Sequence, residues 1–155
     1  MNHSKRTTLQ ASGAAGLYAA LVTMGLLRPG SAQAALAADA FKVKGFAEGL
    51  RSLGATGVTE SDKIVLNAPD IAENGAVVPV SVKTSLPKVE SIAVLVDKNP
   101  NALIGLFELM EGTAPDITFR VKMGESSEVL ALVKADGKYY MAKKEVKVTL
   151  GGCGG

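Results

Sequence analysis

Ile117-Thr118-Phe119-Arg120-Val121-Lys122-Met123 alternates apolar and polar residues without a break. Successive side chains of a strand point to opposite faces, so this stretch predicts a strand with one face on a core and the other toward water. The same reading extends outward in both directions. Downstream, Val129 to Lys134 and Lys138 to Ala142 flank Asp136-Gly137, a two-residue hairpin signal. Glu145 to Leu150 then predicts a final strand with Val146, Val148 and Leu150 on one face. Upstream, Val89 to Val96 predicts a strand, followed by the turn cluster Asp97-Lys98-Asn99-Pro100-Asn101. Ala102 to Met110 fits helix or strand by pattern, and its neighbours favour strand.

Further upstream lie a short strand, Ile64-Val65-Leu66, and a turn, Asn67-Ala68-Pro69-Asp70. Asn74-Gly75 is read as a second turn, because both residues tolerate positive φ. Val77 to Thr84 predicts a strand, and Pro79 within it argues for an edge or a bulge. Asp39 to Leu53 predicts a short helix, with Phe41, Phe46, Leu50 and Leu53 near one face, ended by Gly54-Ala55-Thr56-Gly57. Seven or eight short strands after one helix predict an all-β fold, an immunoglobulin-like antiparallel β-sandwich with a short N-terminal helix. There is no internal repeat and no low-complexity linker.

Residues 1–34 read as an export signal. Lys5 and Arg6 form a basic start, Ala11 to Leu27 an apolar stretch, and Pro29-Gly30 a helix break. Ser31-Ala32-Gln33-Ala34 supplies a cleavage pattern, with the cut expected after Ala34 or, alternatively, after Ala37. Ser4-Lys5-Arg6-Thr7-Thr8-Leu9 looks like a twin-arginine signal with Lys in the first position, and an ordinary Sec signal stays open. An uncleaved anchor is the competing reading, since the stretch is about the minimum length for a bilayer. The expected organisation is a signal over 1–34, a β-sandwich over 35–150 and a C-terminal arm over 151–155.

Removing the signal takes Lys5, Arg6 and Arg28, which reduces the 17 basic residues to 14 against 15 acidic ones. The single histidine, His3, leaves too. No basic run points to nucleic acid. Without His, no Ser-His-Asp or Cys-His pair can form within the mature chain. One Cys makes neither a zinc site nor an internal disulfide, so no metal site is expected.

That one Cys is Cys153, within Gly151-Gly152-Cys153-Gly154-Gly155. Glycines leave the backbone maximally free, so the segment predicts a flexible, thin arm that could pass a narrow channel. No neighbouring group lowers the thiol pKa strongly; such a Cys is a few per cent thiolate at neutral pH. A carrier thiol is the reading favoured here. An intermolecular disulfide in an exported binding or structural module is the alternative, and a thiol peroxidase or mere trailing sequence are weaker ones.

Val148-Thr149-Leu150-Gly151-Gly152-Cys153-Gly154-Gly155 resembles the C-terminus of the SoxY family, sulfur carriers of periplasmic thiosulfate-oxidising Sox systems. Ala68 to Val80, Asn99-Pro100 and Asp136-Gly137-Lys138 resemble that family as well, over about Phe41 to Gly155. The resemblance implies a periplasmic, non-catalytic protein in a heterodimer with a SoxZ-like subunit, the pair exported together. It implies that Cys153 holds each sulfur intermediate, on the arm formed by Gly151, Gly152, Gly154 and Gly155. The implied partners are a c-type cytochrome enzyme that attaches thiosulfate and a hydrolase that releases sulfate. A molybdenum-haem enzyme can then oxidise the remaining sulfane sulfur; the resemblance thus places the haem, metal and hydrolase centres in the partners and implies no cofactor in this chain. The partner surface is open; an edge strand near Pro79 is one choice.

Overall fold

Ile92-Ala93-Val94-Leu95-Val96 and Val129-Leu130-Ala131-Leu132-Val133 are continuous apolar runs, which a strand shows when both its faces are buried. The computed structural model describes residues 39–149 and shows why. Nine strands make two sheets among these residues: β1 (Thr59–Glu60), β2 (Ile64–Asn67), β3 (Ile71–Ala72), β4 (Val78–Thr84), β5 (Val89–Val96), β6 (Leu103–Glu108), β7 (Asp116–Val121), β8 (Ser127–Ala135) and β9 (Lys138–Val148). The larger sheet runs β1-β9-β8-β5-β6, with β3 also on β9; the smaller runs β2-β4-β7. The expected all-β sandwich is therefore present.

Between the sheets, Val78, Val80 and Val82 of β4 meet Ile92, Val94 and Val96 of β5 and Val129 and Val133 of β8 in one core. The other face of the larger sheet is also covered. Ala93, Leu95, Leu130 and Leu132 pack there with Phe46 and Leu50 of the helix α1 (Gly45–Ser52) and with Leu53 just after it. The fold thus has three layers where the strand pattern alone predicts two. Gly49 allows the close approach of α1, because a Cβ there would strike Leu95. Tyr139 Oη donates to Leu53 O at 3.0 Å and ties the end of α1 to β9.

Several local expectations need correction. The helix expected over Asp39 to Leu53 is broken at Lys44, whose backbone is extended. Val43 O accepts the Ala102 N–H, and Gly45 takes φ +71°, so α1 starts only at Gly45. The Lys44 side chain offers no cap, and Asp97 Oδ1 instead accepts the Phe46 N–H at 3.0 Å. The two strands expected over Lys138 to Ala142 and Glu145 to Leu150 are one, β9, paired with β8 from Ala135↔Lys138 to Ser127↔Val146. The sandwich is antiparallel except where β1 and β3 join β9 in parallel.

Pro79 lies on β4, the centre of the smaller sheet, not on an edge strand. It is tolerated because β2 pairs only with Ser81 to Thr84, so Pro79 has a β-partner, Arg120, on one side alone. Asp136 and Gly137 take φ +49° and +71°, the geometry that a two-residue hairpin needs. No helix among the described residues is long and apolar enough to cross a membrane.

Candidate functional site

The signal, its cleavage position at Ala34, and Cys153 with Gly151, Gly152, Gly154 and Gly155 lie outside the described residues. What the structure describes is the place from which the C-terminal segment departs. β9 delivers the chain to that point, and both of its edges are held there.

On one edge, β3 runs parallel to the last residues of β9, in the register Ile71↔Lys147 and Ala72↔Val148. Lys147 N–H donates to Asp70 O at 3.0 Å, and Thr149 N–H donates to Ala72 O at 3.1 Å. Lys144 Nζ lies 3.1 Å from Asp70 Oδ1, a partly exposed pair that contributes little by itself but suits this register. On the other edge, the β8 ladder begins at Ser127, opposite Val146. Beyond it the backbone turns away, and Ser126 Oγ accepts the Val148 N–H at 2.9 Å. A hydroxyl thus replaces the missing strand, and β9 is extended by one more paired residue.

The Asn74-Gly75 turn closes over this exit. Asn74 Oδ1 accepts the Ala76 N–H at 2.9 Å, and Asn74 O accepts the Val77 N–H at 3.2 Å. Neither Asn74 nor Gly75 has positive φ, and the turn leads from β3 to β4 in the other sheet. The expectation of positive φ here is therefore wrong. The glycine is needed for space. A Cβ on Gly75 would strike Met123 O and come within 2.8 Å of Val148 Cγ1. Gly75 O also accepts the Met123 N–H at 2.7 Å.

The adjoining loops are tied to the same end. Asn99 Nδ2 donates to Lys122 O at 2.7 Å, and Lys98 N–H donates to Ser127 Oγ at 3.1 Å. Asp70 to Gly75, within the Ala68 to Val80 stretch, thus lies at the terminus of β9, and Asn99 is tied to the Lys122–Met123 backbone beside it. Ser126 carries no sequence signal; its role exists only because β8 turns away beside it.

At the other end of β9, Glu90 accepts from Lys134 Nζ at 2.7 Å and from the Gly137 N–H at 2.7 Å. The Lys134 contact first, and then the Gly137 amide, hold the Glu90 carboxyl below the usual glutamate range. Among the described residues, no group of three or more His, Cys, Asp or Glu side chains is placed to hold a metal.

Comparison with known proteins bears on what departs from this exit. A family model described as "Sulfur oxidation protein SoxY" matches residues 51–153. The solved structure of the sulfur carrier protein SoxY from Chlorobium limicola f thiosulfatophilum is similar, with 36% identity and a TM-score of 0.60, over 65% of this chain and 92% of that one. Superoxide reductase (neelaredoxin) from Ignicoccus hospitalis is similar at 19% identity and a TM-score of 0.51, over 56% of this chain and 80% of that one. At that identity the likeness concerns the fold alone. The search of curated proteins found no match.

Proposed function

This chain belongs to the SoxY family, and from that premise we propose that it is a non-catalytic carrier in thiosulfate oxidation, with sulfur intermediates held covalently on Cys153. The observation that carries this reading is the extent of the family match, which runs as far as residue 153, the only cysteine in the chain. The Chlorobium protein is itself described as a sulfur carrier.

The chemistry follows from a thiol acting as a tether. Oxidative coupling joins the Cys153 sulfur to the outer sulfur of thiosulfate. The thiol proton leaves, and two electrons pass to a c-type cytochrome enzyme. The new S–S bond is the attachment. Hydrolysis by a partner then breaks the bond between the sulfane sulfur and the sulfonate. Water oxygen leaves in sulfate, and the persulfide stays on Cys153. A molybdenum-haem partner can oxidise that sulfur before a second hydrolysis. Redox and hydrolytic centres reside in these partners, and Cys153 brings them the substrate on the glycine-flanked arm, Gly151, Gly152, Gly154 and Gly155.

A SoxZ-like subunit completes the carrier as a heterodimer in the periplasm, after export and cleavage near Ala34. Cys153→Ser tests the reading in a reconstituted system with that subunit and the partner enzymes. Thiosulfate-dependent sulfate release should disappear, while the heterodimer and its melting temperature stay unchanged. Full turnover by the Ser variant would overturn the carrier assignment.

A further inference from the structure

We propose that Ser126 and the Asp70–Ala72 segment form a clamp that fixes where the carrier arm begins, and so limits how far the Cys153 sulfur is delivered. The inference rests on the carrier reading and adds to it a positioning residue, Ser126, and a constraint on the partner enzymes.

Three hydrogen bonds define the clamp. Lys147 and Thr149 donate to the carbonyls of Asp70 and Ala72 at 3.0 and 3.1 Å, and Val148 donates to Ser126 Oγ at 2.9 Å. Successive amides therefore alternate between the two sides, so that the backbone is held up to Thr149. Gly75 sits between the Met123 carbonyl and Val148 Cγ1 without room for a methyl group of its own, so its backbone lies close against the strand end.

The consequence is a length. Cys153 is four residues beyond Thr149, and four residues extend at most ~13–14 Å. A partner whose rim meets the face around Asn74 and Val77 must hold its reacting centre within that depth. Val77, nearly half exposed beside the exit, suits such a rim contact. The clamp also prepays ordering. Without it, Val148 and Thr149 are no longer held, and a partner must order them on binding.

The test compares wild type, Ser126→Ala and Ser126→Thr, each in complex with the SoxZ-like subunit. Amide exchange at Val148 and Thr149, reaction of Cys153 with a small aromatic disulfide, and enzyme-catalysed thiosulfate loading are measured together. Ser126→Ala should lose protection at Val148, whose amide donates to that hydroxyl, and raise the KM of loading about tenfold, with kcat kept. Its reaction with the small disulfide should equal that of wild type. Ser126→Thr keeps the hydroxyl and should restore both protection and KM.

Lost protection with unchanged KM would overturn the inference, as would retained protection in Ser126→Ala. Equal defects in the Ala and Thr variants would assign the effect to packing rather than to the hydroxyl, and would overturn it too. Failure of wild type to load thiosulfate would instead overturn the carrier reading, and the clamp with it.

Discussion

Replacing Gly75 by alanine places a methyl group against the Met123 carbonyl and within 2.8 Å of Val148 Cγ1. The Met123 carbonyl belongs to the backbone and cannot swing aside as a side-chain end could. Overpacking of this kind costs about 1–3 kcal/mol. The shift also strains the Met123 N–H bond to Gly75 O, 2.7 Å in the native structure, worth about 1 kcal/mol. The combined loss is about 2–4 kcal/mol. At about 3–6 °C per kcal/mol for a domain of this size, Tm falls by roughly 6–24 °C. Thermal unfolding followed by circular dichroism measures it. Gly124→Ala is the control, since a Cβ there meets nothing within 4 Å, and it should stay within about 0.5 kcal/mol of wild type. If Gly75→Ala melts with Gly124→Ala, the close approach at the exit is not a constraint and the reasoning fails.

Tyr139→Phe removes the 3.0 Å bond to Leu53 O; a loss of about 1 kcal/mol is expected, with faster amide exchange over 45–53 as the direct readout. Gly137→Ala forces a Cβ into φ +71° and should cost about 1–2 kcal/mol, read by denaturant unfolding. Glu90 has its pKa lowered in the folded state, chiefly by Lys134 and then by the Gly137 amide. Its contribution to stability is therefore present above the ordinary glutamate pKa and is lost as pH falls through the lowered one. Melting curves of wild type and Glu90→Gln should differ at neutral pH and converge in acid; a gap that widens in acid would contradict that sign.

Much of the sandwich was legible because its signals are local. The alternation from Ile117 to Met123 and the Asp136-Gly137 turn report backbone geometry directly, and both appear as expected. The features that escaped depend on distant partners. Nothing in Val43-Lys44-Gly45 reveals that Ala102 will take the Val43 carbonyl and interrupt the helix. Pro79 reads as an edge or bulge residue, yet it sits on a central strand whose neighbour β2 stops short of it. Asn74-Gly75 reads as a φ-permissive hairpin, whereas the glycine is required by Met123 and Val148, residues far away in the chain. Ser126 is one serine among several until β8 turns away beside it. The candidate carrier residue was the easiest to single out, because one cysteine among four glycines needs no tertiary context to be noticed.

The most direct measurement of the central claim is the intact mass of this chain, paired with its SoxZ-like subunit, after incubation with thiosulfate and the c-type cytochrome enzyme. The account predicts a gain of one thiosulfate unit, localised to Cys153 by peptide mapping, removed by a thiol reductant and absent in Cys153→Ser. An unchanged mass during active thiosulfate turnover, or the same gain in Cys153→Ser, would contradict it.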